Sequence, residues 1–210
     1  MQNIKTIAIE LPSTDGSSTL RGTIWMPEDQ SNARGIVQLV HGMAEHHSRY
    51  DDFARYLVES GFVVCGHDPI GHGESSEPEN YGDLPAKDGE NILLEDVNNI
   101  RLTVSQNFPE GLPYFIFGHS MGSLITRVYI SRFGKGLAGA ILSGTAEEPM
   151  LVTAGGNLLA RLMAKVKGND ARAKLLFNLA DGAYAKQIAN AETPFDWISS
   201  DKDAVRKYIA

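Results

Sequence analysis

Two apolar runs near the start of the chain predict an antiparallel pair of strands. Residues 4–11 and 19–26 are rich in Ile, Leu and Thr, and residues 13–16 between them read Ser-Thr-Asp-Gly. β-Branched residues favour strands, and Asp-Gly favours a tight reversal of the chain. We therefore expect a β-hairpin over residues 4–26.

Beyond the hairpin, short apolar runs alternate with segments in which apolar residues recur every three or four positions. The runs predict strands at 35–40, 62–65, 114–117 and 137–142. The recurring positions predict three helices, with faces formed by Tyr50, Phe53, Ala54 and Leu57, by Leu93, Val97, Ile100 and Val104, and by Leu124, Ile125 and Val128. Alternation of this kind is typical of an α/β fold, in which helices cover both faces of a mostly parallel sheet.

From about residue 146 the strand pattern stops. Helical patterns continue at 158–163, 173–177 and 204–209. The charge changes at the same point: residues 150–210 carry nine Lys or Arg against six Asp or Glu, a net +3, whereas residues 1–149 carry ten against twenty, a net −10. We expect a core over residues 1–145 and a helical cap over residues 146–210.

Composition limits the possible classes of function. The 210 residues are 42% hydrophobic, enough for one substantial core, and the net charge of −7 argues against a nucleic-acid partner. The single cysteine, Cys65, lies in an apolar run and is expected to be buried rather than a nucleophile or ligand. No segment has the roughly 18 apolar residues of a membrane span, so we expect a soluble cytoplasmic protein. Nothing in the sequence specifies an oligomeric state.

The strongest indication of chemistry is the segment 118–122, Gly-His-Ser-Met-Gly. The pattern G-x-S-x-G alone is weak evidence, but here an apolar strand precedes it and an amphipathic helix follows it. That setting projects a serine from a strained turn, and the glycines allow a close approach of the backbone. We interpret Ser120 as the nucleophile of an acyl-transfer reaction.

Acyl transfer also needs N–H donors aimed at the developing oxyanion. The first candidate is the backbone N–H of Met121, directly after the nucleophile. A second donor must come from the loop after an earlier central strand, and His-Gly-Met at 41–43 follows the strand at 35–40. We assign this donor to the N–H of Met43, with Gly42 allowing a sharp turn.

Three motifs occur in a fixed order along the chain. They are His-Gly at 41–42 with Glu45-His46 and Arg49-Tyr50, the segment 67–75 (His-Asp-Pro-Ile-Gly-His-Gly-Glu-Ser), and the elbow at 118–122. Together they resemble the monoacylglycerol lipases and the related lysophospholipase and serine-aminopeptidase-like α/β-hydrolases. The resemblance covers about residues 20–145 and extends less specifically through 195–199, in the family's helical cap. It implies an α/β-hydrolase fold and ester hydrolysis through an acyl-Ser120 intermediate, with Met43 and Met121 at the oxyanion hole.

The resemblance also implies residues that this sequence does not contain. In α/β-hydrolases the triad Asp and His follow the serine, whereas the six histidines here are residues 41, 46, 47, 67, 72 and 119. We therefore expect the last strands of the fold to be missing, and a C-terminally truncated chain that is inactive alone. Asp201 superficially matches the acid-bearing loop, but it follows Trp-Ile-Ser-Ser at 197–200 instead of a buried strand and is disfavoured as the triad acid.

The remaining polar residues of the motifs admit two interpretations. Neither the histidines at 41, 46 and 47 nor the set His67, Asp68 and His72 has a recognised zinc spacing, so we expect loop-shaping roles, with Asp68 accepting backbone hydrogen bonds, and neither a metal nor a cofactor. Glu45 and Arg49 either bind a polar head group of the substrate or form a structural ion pair. The sequence leaves both possibilities open.

The apolar residues of the cap bear on the substrate. Met150, Leu151, Leu158, Leu162, Met163, Leu175 and Phe177 suit a medium or long acyl chain, although sealing the cap onto the core explains most of them equally well. By resemblance the partner is a small lipid ester, a monoacylglycerol or a lysophospholipid. Basic residues among these apolar ones predict contact between the cap and a membrane or micelle surface. The alternative function is a non-catalytic ligand-binding protein on the same scaffold.

Overall fold

Strands and helices alternate along the first of the two units into which the chain divides. The computed structural model describes residues 3–85, 87–147, 150–167 and 187–209. The two units are Met1–Ala146 and Glu147–Ala210. The strands of the first unit are β1 (Ile4–Pro12), β2 (Thr19–Pro27), β3 (Ile36–Val40), β4 (Val63–Asp68), β5 (Tyr114–His119) and β6 (Gly139–Ser143). Its helices are α1 (Asp51–Glu59), α2 (Gly89–Ser105) and α3 (Met121–Phe133), with 3-10 turns at His47–Tyr50, Gly73–Ser75 and Pro78–Asn80.

The six strands form one sheet in the order β1-β2-β4-β3-β5-β6. β1 and β2 form the predicted antiparallel hairpin, β2 is antiparallel to β4, and the remaining neighbours run parallel. The predicted α/β class is therefore confirmed. Val40 at the end of β3 lies opposite Gly118 of β5, and His119 lies opposite Ser143 of β6. This register brings the segments after β3, β5 and β6 to the same edge of the sheet, the carboxyl edge where α/β proteins bind ligands.

Helices cover the sheet because each carries an apolar stripe. On one face Ala54 and Val58 of α1 pack in a cluster with Val64 of β4 and other strand residues. On the other face α2 and α3 cover β3 and β5, and the buried residues of α2 are Leu94, Asp96, Val97, Ile100 and Val104. The predicted stripes are correct in phase for α1 and α2 but not in every member. In α3, Leu124 of the predicted stripe is 46% exposed, and the buried residues are Gly122, Ser123, Thr126 and Tyr129. Leu94 takes the fully buried place expected for Leu93, and Val58 is buried in α1 while Phe53 is 36% exposed.

Several strand boundaries differ from the prediction. β4 runs from Val63 to Asp68, three residues beyond the predicted end at residue 65. β5 continues to His119 because Gly118 and His119 still pair with β3 and β6. β6 begins at Gly139 and not at residue 137, because the chain turns at Gly136, whose φ is +81°, and the Leu137 N–H donates to the Gly134 carbonyl. Leu137 still packs against the core from this turn. Leu137 is thus an apolar residue beside β6 and not a member of it.

The second unit contains helices in the part that the structure describes. They are α4 (Met150–Lys167) and α5 (Lys202–Ile209), which contain the patterns predicted at 158–163 and 204–209, while the pattern at 173–177 lies outside the described residues. Phe195 and Tyr208 pack with ring centroids 5.5 Å apart. Asp201 accepts the Asp203 N–H at 2.8 Å at the start of α5, so its carboxylate caps a helix. Within the described ranges, no helix is both long and apolar enough to cross a bilayer.

The outer edge of β6 leads to a prediction about association. Among the described residues β6 pairs only with β5, it contains no charge and no proline, and Ile141 and Leu142 are 46% and 38% exposed. Open apolar edges of this kind pair with other chains. We expect the protein to associate in light scattering, and Ile141→Lys to shift it towards the monomer. Leu102→Lys, at a leucine of α2 that is 53% exposed, is the matched control. A monomeric, cooperatively melting wild-type protein would contradict this expectation.

Candidate active site

Ser120 occupies a strained turn between β5 and α3. Its φ is 50° and its ψ is −118°, a conformation that a residue with a side chain rarely adopts. Hydrogen bonds hold the turn on both sides: the Ser120 N–H donates to the Ser143 carbonyl at 2.9 Å, and the Ser120 carbonyl accepts from the Ser123 hydroxyl at 2.6 Å. The side chain of Ser120 is exposed. The fold therefore presents this hydroxyl at the carboxyl edge of the sheet.

The two glycines that flank the serine are required by packing. A Cβ on Gly122 would lie 2.0 Å from the Val40 carbonyl oxygen, and a Cβ on Gly118 would lie 2.4 Å from the Gly122 carbonyl oxygen. Neither glycine has a positive φ, so close approach is the reason for glycine at both positions. The start of α3 thus lies directly against the end of β3, which brings Ser120 next to the loop that follows β3.

That loop carries the second proposed oxyanion donor. A Cβ on Gly42 would lie 3.1 Å from the Cβ of Ser120, so Gly42 is in direct contact with the nucleophile turn. Ala44 has a φ of 57°, and Met43 between them is 48% exposed. Within the described parts of the chain, the N–H groups of Met43 and Met121 donate to no acceptor. The structure therefore brings together the segments of Ser120, Met121 and Met43, as the sequence predicted.

Glu45 and Arg49 form an ion pair, which was one of the two roles predicted for them, the other being contact with a substrate head group. Arg49 Nε lies 3.4 Å from Glu45 Oε2. Glu45 Oε1 accepts the N–H of Gly42 and the hydroxyl of Tyr50, the latter at 2.8 Å. Burial, together with the charge of Glu45, raises the pKa of the Tyr50 hydroxyl above its ordinary value. The side chain of Glu45 is only 7% exposed, because protein donors surround its carboxylate. A structural ion pair is therefore favoured over contact with a substrate head group for Glu45.

Asp68 lies at the centre of a buried cluster of histidines. Its side chain accepts the backbone N–H groups of His47 at 2.6 Å and Glu74 at 2.8 Å, which confirms the predicted backbone hydrogen bonds. It also lies 3.2 Å from His41 Nε2 and 2.9 Å from His47 Nδ1, two contacts that sequence reasoning missed. Burial would raise the pKa of this carboxyl, but the two imidazoles and the backbone donors outweigh it and hold the pKa below its ordinary value. The loop after β3 is thereby tied to the end of β4.

No histidine is in place to serve Ser120 as a base. Both ring nitrogens of His41 contact other groups: Nδ1 lies 2.7 Å from the Gly42 carbonyl oxygen, and Nε2 lies 3.2 Å from the Asp68 carboxylate. His119 Nδ1 is 3.1 Å from the Ser143 hydroxyl. Among the described residues, no histidine hydrogen-bonds to the Ser120 hydroxyl. The described residues at this site therefore include the candidate nucleophile and the candidate oxyanion donors, and no histidine positioned as a general base for them.

Two further histidines, His67 and His72, and the cysteine are also buried. His67 is 1% exposed, neither of its ring nitrogens has a hydrogen-bond partner among the described residues, and burial lowers its pKa to about 3. His72 packs edge-on against His41 at 5.5 Å, and burial lowers its pKa as well. Cys65 is fully buried, and burial raises the pKa of its thiol to about 12, as a structural role predicts. Among the described residues no three His, Cys, Asp or Glu side chains are arranged to hold a metal.

A cavity of about 570 Å³ opens beside Asp68 and not at Ser120. Polar and charged residues line most of it: Arg21, His46, Ser48, Asp68, Gly73, Glu74, Ser76, Glu77 and Tyr81. We place the candidate active site at Ser120, because the strained turn and the adjacent N–H groups of Met43 and Met121 are found there.

Comparisons with known proteins agree with this geometry. Residues 31–210 match the family described as serine aminopeptidase, S33. The chain is 30% identical over 118 residues to the monoglyceride lipase of Homo sapiens and 30% identical over 129 residues to the monoacylglycerol lipase of Mycolicibacterium smegmatis; these matches cover 56% and 59% of this chain and 36% and 41% of those proteins.

Among solved structures, the fold is similar to that of a highly thermostable carboxyl esterase from Bacillus coagulans. The TM-score is 0.86 at 34% identity, and the match covers 97% of this chain and 64% of the esterase. A lipase in an open form matches with a TM-score of 0.85 at 23% identity, which supports the fold alone. The architecture is therefore that of an α/β-hydrolase. The matches span less than half the length of these two curated lipases.

Proposed function

Since the chain belongs to the serine aminopeptidase family S33, which matches residues 31–210, we propose that it supplies the nucleophile and the oxyanion hole of a lipase- or esterase-type hydrolase. The observation that carries the proposal is the strained turn at Ser120 against the loop that bears Met43. A protein that only binds a ligand has no need for a strained serine beside unpaired N–H groups. The names of the two curated lipases support the same class of reaction.

In the proposed reaction the Ser120 hydroxyl attacks the ester carbonyl. The N–H groups of Met43 and Met121 stabilise the negative charge on the carbonyl oxygen, the alcohol leaves, and an acyl-Ser120 intermediate remains for hydrolysis by water. The attack releases a proton from the hydroxyl. No described histidine hydrogen-bonds to Ser120, so we assign no residue of the described chain as the base that accepts this proton.

The proposed substrate is a lipid-like ester, a monoacylglycerol or a lysophospholipid. The similarity to a monoglyceride lipase and a monoacylglycerol lipase supports the first of these. Arg49, whose side chain is 31% exposed, is the remaining candidate for contact with a polar head group, while Glu45 is enclosed. We also propose that residues 1–145 are the core and residues 146–210 the cap of the hydrolase, supported by the compactness of each unit. A cytoplasmic location stays a prediction from the sequence.

Trapping of the acyl group tests the proposal. A rate on the order of 10⁻⁴ s⁻¹ suffices to acylate the serine within hours, and such a rate is about 10⁵-fold below an ordinary turnover. We expect mass spectrometry after incubation with an activated chromogenic ester to find the acyl group on Ser120. Ser120→Ala should remove this adduct, whereas Ser131→Ala, at an exposed serine of α3, should retain it. Acylation spread over several serines, or none, would contradict the proposal.

The second candidate function is a non-catalytic ligand-binding protein. The absence of a hydrogen bond between the Ser120 hydroxyl and any described histidine favours it. In that case a lipid ester would bind without forming the acyl adduct, and Ser120→Ala would bind it equally well. The trapping experiment therefore separates the two functions.

Helix α4 leads to a prediction about lipid surfaces. Leu158, Leu162 and Val166 recur every fourth residue and are 60%, 52% and 84% exposed, with Arg161 and Lys165 beside them. A basic amphipathic helix binds anionic interfaces. We expect co-sedimentation with anionic vesicles at low salt, and a several-fold weaker association for Leu162→Glu. Leu102→Glu, at an exposed leucine of the first unit, is the matched control. Absence of binding at low salt would exclude this role for α4.

A further inference from the structure

The Glu45 carboxylate closes the turn that carries the Met43 N–H, and we propose that Glu45 is the positioning residue of the oxyanion hole. This inference deepens the proposed function, on which it rests. It differs from contact with a substrate head group, since Glu45 would act only through the backbone of the loop. Its basis is the set of contacts that the carboxylate makes on either side of Met43.

The hydrogen bond between Glu45 and Gly42 spans the donor residue. Glu45 Oε1 accepts the N–H of Gly42, three residues earlier, so the side chain closes a turn with Met43 inside it. A Cβ on Gly42 would lie 2.7 Å from this same oxygen and 3.1 Å from the Cβ of Ser120. The carboxylate and the nucleophile turn therefore both contact Gly42. A shift of the carboxylate changes the position of the Met43 N–H relative to Ser120.

The backbone of this turn needs such a restraint. Ala44 adopts a φ of 57°, which is unfavourable for a residue with a side chain. Without a partner for the Gly42 N–H, the loop could relax to an ordinary conformation and turn the Met43 N–H elsewhere. Three donors hold the Glu45 carboxylate in place. They are the Gly42 N–H, the Tyr50 hydroxyl at 2.8 Å and the Arg49 guanidinium at 3.4 Å.

The charge of Glu45 is not what the oxyanion hole needs. A carboxylate near a developing oxyanion opposes it, so the useful property of Glu45 is its ability to accept hydrogen bonds. The ion pair with Arg49 offsets the negative charge at this position. A neutral side chain of the same shape should thus perform the same role, provided that it can accept the Gly42 N–H. Glutamine meets this condition and methionine does not.

The test compares Glu45→Met, which keeps the volume but loses the acceptor, with Glu45→Gln, which keeps both. We expect amide hydrogen exchange of Gly42, followed by NMR in the full 210-residue chain, to accelerate at least tenfold in Glu45→Met and to stay close to the wild-type rate in Glu45→Gln. The Ser120-dependent hydrolysis of a chromogenic ester, measured above the Ser120→Ala background, should lose kcat with an unchanged KM in Glu45→Met. Glu45→Gln should retain most of that kcat. If Glu45→Met does not fold, Glu45→Asp carries the same expectation, because its shorter side chain does not reach Gly42.

Each outcome decides the inference. Unchanged exchange of the Gly42 amide in Glu45→Met would overturn it, and so would a raised KM with unchanged kcat, which indicates contact with substrate. An equal loss of kcat in Glu45→Gln and Glu45→Met would also overturn it, because it would show that the charge of Glu45, and not its hydrogen bonding, supports the reaction. If Ser120→Ala hydrolyses the ester as fast as the wild-type chain, the proposed function fails for this chain. The exchange measurement still tests the position of the turn in that case.

Discussion

The 210-residue chain is expected to hydrolyse a chromogenic short-chain ester about 10⁴ to 10⁶ times more slowly than a serine esterase with a complete triad. Loss of the base costs this much, because the hydroxyl of Ser120 has no imidazole to take its proton and only oxyanion stabilisation and binding remain. The measurement is the initial rate of chromophore release. The carboxyl esterase from Bacillus coagulans, whose fold this chain shares, is a suitable reference.

Two serine variants serve as controls for this rate. Ser120→Ala should remove the small remaining activity, whereas Ser131→Ala should not change it. Robust turnover by the unaltered chain, abolished in Ser120→Ala, would show that another group acts as the base. His72, which packs against His41 and is 8% exposed, would then be the first to substitute, since His41 is committed to Gly42 and Asp68.

Acid is expected to destabilise the protein well above the pH at which carboxyl groups titrate. The pKa of His67 is lowered from 6.5 to about 3 because burial disfavours the charged ring. Below pH 6.5 the unfolded chain binds a proton on this histidine that the folded chain does not bind. The contribution of neutral His67 to the free energy of unfolding is therefore complete above pH 6.5 and is lost as the pH falls towards 3. The effect is on the order of a few kcal/mol. His72, whose pKa is also lowered, adds to it with the same sign.

Urea unfolding between pH 7 and pH 4 measures this effect. His67→Gln should flatten the pH dependence, while His46→Gln, at an exposed histidine, should keep the wild-type slope. Asp68 contributes in a lower window, because a lowered carboxyl pKa gives stability that is present above about pH 4 and is lost as the pH falls further. An unfolding free energy that does not change between pH 7 and pH 4 in the wild type would show that the ring of His67 is solvated.

The sequence by itself determined the elements of the fold and the turn that carries the candidate nucleophile, Ser120. Apolar periodicity reports which face of a helix or strand is buried, and this is a local property, so the hairpin of β1 and β2, the helices α1 to α3 and the parallel strands could be predicted. The serine turn could be predicted for the same reason. Gly118, Ser120 and Gly122 are close in sequence, and the strand and helix that flank them have their own apolar patterns.

Only the tertiary structure decided which polar side chains meet. Asp68 and His47 are 21 residues apart, and they contact each other because β3 and β4 pair in parallel and end at the same edge of the sheet. No periodicity in the sequence encodes that contact, so Asp68 could be predicted to accept backbone hydrogen bonds but not to bind two imidazoles. The sequence motif indicated a close backbone approach at Gly122, but only the tertiary structure shows that the neighbour is the Val40 carbonyl at the end of β3. Contacts of this kind depend on strand register, which is decided by the packing of the whole sheet.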